Sequence, residues 1–169
     1  IPELRELKDI DPTELKSSGE SLAQSLKGKI PVVYTSNQNR AIGYNWKIKF
    51  NETGKVPAFY NVFPELNHNE MQGYDFVDAT KKTSENFHFI VIHDEDDHER
   101  VTKRMETVEG LFEEKGFPVT NLRLTGGTRF SQIFNSLLLA DWTALHLAKE
   151  YGVEPEQVPL IEEFKKRIG

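Results

Sequence analysis

Apolar and polar positions divide the chain into alternating helical and extended segments. Residues 11–27 open with Asp11-Pro12, a capping residue followed by proline at the first helical position, and carry Leu15, Leu22, Ala23 and Leu26 at helical spacing. Ser17-Ser18-Gly19 interrupts that pattern, and Gly28 closes the helix. The run Ile30-Pro31-Val32-Val33-Tyr34-Thr35 is apolar and β-branched, which predicts a buried strand. Ala41, Ile42, Trp46 and Phe50 predict a helix over 38–50 that delivers Asn51-Glu52 at its end. From there to Gly73 the chain holds Pro57, Pro64, Asn61, Asn67 and Asn69, a composition that favours turns over regular structure.

The segment Asn86-Phe87-His88-Phe89-Ile90-Val91-Ile92 is apolar almost without a break, as in a parallel strand covered on both faces. A helix over 97–115 follows, with Val101, Met105, Val108, Leu111 and Phe112 on one face and Gly116 at its end. Residues 118–124 predict another strand, then a turn at Gly126-Gly127. The helix over 128–151 is strongly apolar, so it belongs in a core or a subunit interface. Gly152 ends it, and Pro155 starts a last helix that runs to Ile168. This alternation predicts an α/β fold: a three-layer sandwich with a mainly parallel sheet flanked by helices. No internal repeat or low-complexity linker divides residues 1–169, which read as one domain with 1–10 as a leading segment.

Composition narrows the functional classes. A chain of 169 residues can bury a full core, and a net charge of −6 with mixed signs leaves no basic footprint for nucleic acid. A local cluster of donors can still hold a small anion on such a surface. Without cysteine there are no disulfides or thiolate metal sites, which fits a reducing, cytoplasmic setting. No apolar run approaches the roughly 20 residues needed to span a bilayer. The charged start Ile1-Pro2-Glu3-Leu4-Arg5-Glu6 does not read as a signal peptide and lacks an initiator methionine, so a domain of a longer chain is expected.

Chemistry concentrates between Phe50 and Glu70, where Glu52 and His68 place a carboxylate and an imidazole in polar, proline-interrupted chain. Other candidates have plainer readings. Gly126-Gly127-Thr128 lacks the full dinucleotide and P-loop patterns and reads as a strand-to-helix turn. His88, His93, Asp94, Asp96, Asp97 and His98 resemble a metal-ligand set, but His88 lies in a strand and His98 starts a helix. Asp94 to Asp97 read more simply as caps of that helix. His146 reads as a buried or interfacial histidine. Asn67-x-x-Glu70 has the form of a capping box, which would leave only His68 without a structural role. Lys165 falls on the apolar stripe Val158, Ile161, Ile168 of the last helix, so its ammonium either reaches back to water or enters a site.

The run Trp46-Lys47-Ile48-Lys49-Phe50-Asn51-Glu52, then Pro57-Ala58-Phe59, then Phe63-Pro64-Glu65-Leu66-Asn67-His68-Asn69-Glu70, resembles the carboxy-terminal half of the bifunctional phosphoglucose/phosphomannose isomerases. That half is a sugar isomerase (SIS) domain, Rossmann-like in architecture. The tail, with Asp141, Leu147-Ala148, Tyr151-Gly152, Pro155, Val158, Ile161 and Phe164-Lys165, follows the family order. The resemblance covers nearly all the chain from about residue 20, and a glutamate sixteen residues before the histidine of Asn-His-Asn-Glu is its specific signal.

By that resemblance, His68 opens the sugar ring and Glu52 moves a proton between C2 and C1 through a cis-enediol, with no cofactor and no metal. Lys165 matches the family lysine that would stabilise the developing enediolate. Arg40, Asn67, Asn69 and Glu70 are the substrate-binding residues implied. The substrate class would be glucose 6-phosphate and mannose 6-phosphate, interconverted with fructose 6-phosphate in carbohydrate metabolism (glycolysis and gluconeogenesis). In the family the histidine comes from the partner subunit, so a homodimer is implied, with neither membrane nor nucleic acid as partner. One departure stands out: no Ser-x-Ser-Gly-type phosphate loop follows the first strand, which ends Thr35-Ser36-Asn37-Gln38-Asn39-Arg40. The chain therefore looks like the second half of a tandem two-SIS-domain enzyme, and inactive alone if the first half supplies that loop. The alternative is a non-catalytic sugar-phosphate-binding or dimerisation module.

Overall fold

The computed structural model describes residues 7–8, 10–75 and 77–169. The expectations placed on Ile1 to Glu6, and with them most of the leading segment, lie outside the described residues.

Four parallel strands, β1 (Ile30–Ser36), β2 (Phe59–Phe63), β3 (Phe87–His93) and β4 (Val119–Arg123), form one sheet in the order β2-β1-β3-β4. Val32 pairs with Phe59, Ile30 with Phe87, and Phe89 with Val119. The helices are α1 (Pro12–Leu26), α2 (Arg40–Glu52), α3 (Lys81–Ser84), α4 (Glu99–Glu114), α5 (Arg129–Tyr151) and α6 (Pro159–Ile168). Because successive strand residues point to opposite faces, the unbroken apolar runs of β1 and β3 supply two cores. Val33, Ile90 and Ile92 pack under Leu26 of α1, Trp46 and Phe50 of α2, and Ala140, Ala144 and Leu147 of α5. Val32, Tyr34, Phe89 and Val91 pack under Met105, Val108 and Phe112 of α4, joined by Phe63 and Leu66. The expected three-layer sandwich is thus observed.

Half of the second layer is not a regular helix. Two 3-10 turns, Glu65–His68 and Glu70–Tyr74, lie beside α4. Leu66 is fully buried at one end of this segment. At the other end Tyr74 sits among Phe87, Phe89, Phe112 and Phe117, with ring centroids 4.9–5.9 Å away. Edge-on aromatic packing of this kind holds an irregular segment firmly.

The pattern of the chain misled at four places. The region read as irregular after Glu52 contains β2, a five-residue edge strand paired only to β1, with Phe59 exposed and prolines just outside its ends. Such a strand is too short and too weakly alternating to stand out. The capping box at Asn67 does not form. Glu70 turns to the sheet instead, and Asn69 Oδ1 accepts from the Glu70 amide. Nor do Asp94 to Asp97 cap α4: His98 Nδ1 accepts from the Arg100 amide at 3.1 Å. Lastly, α6 starts at Pro159 rather than Pro155 and has no buried residue, so Lys165 does not face the core of this chain.

The interruption at Ser17-Ser18-Gly19 has a packing cause. A Cβ at Gly19 would lie 2.7 Å from Trp142 Cβ and 2.9 Å from the Thr143 amide, so α1 and α5 approach through a glycine. The Gly126-Gly127 turn leads into a capping box in which Thr128 and Ser131 satisfy each other's amides, as a plain strand-to-helix turn would.

Candidate active site

The crossover from β1 to β2 decides where Glu52 and His68 stand. The strands are parallel, so α2 must run back from the carboxy-terminal edge of the sheet to its amino-terminal edge. Its 13 residues cover about 20 Å. Glu52, the last of them, therefore sits at the amino-terminal edge. β2 then climbs the sheet, and His68 follows beyond the opposite edge. The length of β2 alone separates the two groups by roughly 15 Å. One copy of the chain does not bring them together.

Glu52 is exposed at the mouth of a cleft of about 430 Å³. Asn51, Val56 and Pro57 line one side, and Val158, Leu160 and Ile161 at the start of α6 line the other. Lys55, at φ +58°, ties the two sides: its Nζ donates to the carbonyls of Glu52, Pro155 and Gln157. Lys165 lies one helical turn beyond Ile161, on the exposed helix, and pairs with Glu162 at 2.7 Å. The cleft thus joins Glu52 to the helix that carries Lys165, but no cation touches the Glu52 carboxylate among the described residues.

At the other edge, Glu70 fixes the turn that presents His68. Tyr34 Oη donates to Glu70 Oε1 at 2.7 Å, and Asn61 Nδ2 donates to Oε2. One carboxylate therefore links the His68 segment to β1 and β2. Burial, with the charge of Glu70 nearby, pushes the Tyr34 hydroxyl far above its ordinary value and that of Tyr74 up to about 12. Both stay protonated, and Tyr34 is the donor to Glu70. Asn69 Nδ2 donates to Glu65 Oε1 at 2.9 Å, and among the described residues Asn67 Nδ2 reaches only the Met71 sulfur, 3.7 Å away. His68 itself is exposed and makes no hydrogen bond among the described residues.

The crevice beyond the carboxy-terminal ends of β1 and β3, where the strand order reverses, is the usual ligand site of such sheets. Here it is closed by a polar knot that the sequence reading missed. The buried Asp94 carboxylate accepts from Arg129 Nη1 at 2.6 Å and from Asn39 Nδ2 at 3.0 Å. Asn39 also donates to Ser36 Oγ and accepts from Arg129. Burial, with the charge of Asp94 adding to it, raises the Asp97 carboxyl above its usual range. Arg40, the next residue after Asn39, is exposed at the start of α2. The available signal was position: Asn39 and Asp94 each follow the end of a buried strand.

The histidine-rich set does not converge. His88 Nε2 meets Thr120 Oγ1 at 2.8 Å, His93 Nε2 meets Glu109 Oε1 at 2.9 Å, and His98 caps α4. His146 is buried against Trp142, with Nε2 unpartnered among the described residues.

A parallel four-stranded sheet between helical layers is the architecture of a sugar isomerase (SIS) type of domain. The sequence profile of the bacterial phospho-glucose isomerase C-terminal SIS domain matches residues 15–168, and the chain belongs to that family. It is similar to the bifunctional phosphoglucose/phosphomannose isomerase of Aquifex aeolicus, 32% identical over 154 residues, which are 91% of this chain and 47% of that protein. The enzyme of the same name from Thermoplasma volcanium is 37% identical over 140 residues, 83% of this chain and 43% of that protein. The chain thus spans about half the length of these relatives. Among solved structures, a glucose-6-phosphate isomerase like protein from Thermus thermophilus shares the fold, with a TM-score of 0.65 at 18% identity, over 84% of this chain and 46% of that one. Among the described residues no helix is long and apolar enough to cross a membrane.

Proposed function

We propose that this chain is the catalytic half of a phosphohexose aldose–ketose isomerase, interconverting glucose 6-phosphate and mannose 6-phosphate with fructose 6-phosphate. The observation that carries the reading is the pair Glu52 and His68, sixteen residues apart on a domain of the phosphoglucose isomerase family, standing at opposite edges of its sheet. Each copy then holds two half-sites. Glu52 opens into a cleft bordered by α6, and His68 is presented outward on a turn that Glu70 fixes. In a homodimer, His68 of one copy completes the Glu52 cleft of the other.

In this mechanism His68 moves a proton between the ring oxygen and the anomeric hydroxyl. Glu52 takes the C2 proton and returns it to C1, and Lys165 stabilises the enediolate oxygen from α6, with no cofactor or metal taking part. Arg40, Asn67, Asn69 and Glu70 remain candidates for substrate contact. Glu70, whose two carboxylate oxygens each accept a hydrogen bond, also holds the turn. A preceding SIS domain supplies the phosphate loop, and the enzyme works in the cytoplasm in sugar-phosphate metabolism.

One observation favours the second reading, a non-catalytic sugar-phosphate-binding or dimerisation module: the Arg129–Asp94–Asn39 knot fills the crevice where a phosphate would enter. Conversion of glucose 6-phosphate to fructose 6-phosphate decides between them. It should be measured on this chain and on the chain joined to a preceding SIS domain, each as wild type and Glu52→Gln. Loss of about 10²–10⁴-fold in turnover in the variant, with binding retained, is the expected result. Equal turnover in both would remove Glu52 from the chemistry. Binding without turnover in the joined protein would leave the module.

A further inference from the structure

A groove of about 470 Å³ lies between the His68 segment and α4. Met71, Val108 and Leu111 are its apolar lining, and Arg100, Lys103 and Arg104 line it with cations. Residues three and four apart share a helix face, so these three cations rise from one stripe. Lys27, Lys49, Lys115 and Arg129 are each engaged by a carboxylate, but none of the three is, among the described residues. Among the described residues they have no carboxylate partner, although Glu95, Asp96, Asp97 and Glu99 precede them and the chain carries a net charge of −6. No carboxylate lines the groove.

Only Arg100 lies in the first turn of α4, where the macrodipole is positive and disfavours a cation; Lys103 and Arg104 follow in the second turn. The same positive potential adds to the pull on any anion that enters. Across the groove, Asn67 Nδ2 points to the Met71 sulfur at 3.7 Å, a weak acceptor that leaves this N–H available to a stronger one.

We propose that this groove binds the phosphate group of a small phosphorylated molecule, held by Arg100, Lys103 and Arg104 with Asn67 Nδ2 as a further donor. Guanidinium groups suit this task because their paired N–H groups match two phosphate oxygens at once. The ligand is either a hexose phosphate or a free phosphate or diphosphate group. Because Asn67 and Met71 flank His68, occupation of the groove tightens the turn that carries it. The binding claim does not rest on the isomerase reading.

Two-dimensional amide NMR of this chain tests it, with inorganic phosphate, pyrophosphate and glucose 6-phosphate added in turn at constant ionic strength to hold screening fixed. The expected result is a saturable shift of α4 and residues 65–74, with a Kd of about 1 mM or tighter for at least one probe. Arg100→Glu with Arg104→Glu should weaken it at least tenfold while the rest of the spectrum stays unchanged, since both side chains are exposed. The milder Lys103→Ala serves if the double variant perturbs α4. Tighter binding of glucose 6-phosphate than of inorganic phosphate would identify a sugar-phosphate site; preference for pyrophosphate would identify the free anion. No saturable shift with any probe, or shifts that survive charge reversal, would overturn the proposal.

Discussion

His88 illustrates how far a single side chain can be read from its type and how far from its setting. A histidine near aspartates suggests a ligand, yet this one is buried in β3 and bonded to Thr120. Burial, with the charge of Lys29 adding to it, holds its pKa below the ordinary 6.5, so it is neutral in the fold. The unfolded chain takes up a proton below 6.5 that the folded chain resists. Stability present above that value is therefore lost as pH falls towards the depressed value. Urea unfolding should show this loss in the wild type and a flatter profile in His88→Gln. Equal slopes would mean that the loss comes from other groups. Glu70 makes the complementary case: its sequence context suggested a cap or a substrate contact; the cap does not form, and its oxygens accept from Tyr34 and Asn61.

At the scale of elements, two contacts govern the layer that carries the site. The first is the crossing of α1 and α5 at Gly19. Gly19→Ala gains about 1 kcal/mol of helix propensity but must displace the Trp142–Thr143 backbone, an overpacking cost of roughly 1–3 kcal/mol. A net loss of thermal stability is expected; a rise would show that α1 shifts freely. The second is Lys55, which ties the end of α2 to the chain entering α6. With no buried residue of its own, α6 depends on this tie for its place beside Glu52. Lys55→Ala should raise amide exchange in residues 159–168 and leave β1 and β3 protected, since local opening tracks local contacts. Unchanged exchange would mean that other contacts hold the helix.

For the whole molecule, the sheet sets a constraint that no side-chain change removes. Glu52 and His68 stand at opposite edges, so the proposed chemistry needs two copies. In the protein that carries both SIS domains, Glu52→Gln and His68→Asn variants should each be nearly inactive. After dissociation and mixing, hybrid dimers should regain part of the activity, because one of their two sites is intact. Mixing without recovery would place the two residues in one chain's site and contradict the topology. The exposed apolar residues of α6, Leu160, Phe164 and Ile168, lie on the same side of the problem, since nothing among the described residues covers them.

Much of this architecture was legible in the chain. Unbroken apolar runs determine β1 and β3, because a strand covered on both faces has no polar side to show. Helical spacing and caps determine α1, α4 and α5 to within a few residues, since these signals are local and repeat over several turns. The specific pairing of Glu52 with Asn67-His68-Asn69-Glu70 marked the family for the same reason: it is contiguous sequence. What only the tertiary structure decided is everything that depends on distant segments meeting. The edge strand β2 exists because β1 offers it hydrogen bonds, and the knot of Asn39, Asp94 and Arg129 forms because three strand and helix ends converge. The separation of Glu52 from His68 follows from the direction of a crossover. Spacing along a chain carries no direction in space; packing supplies it.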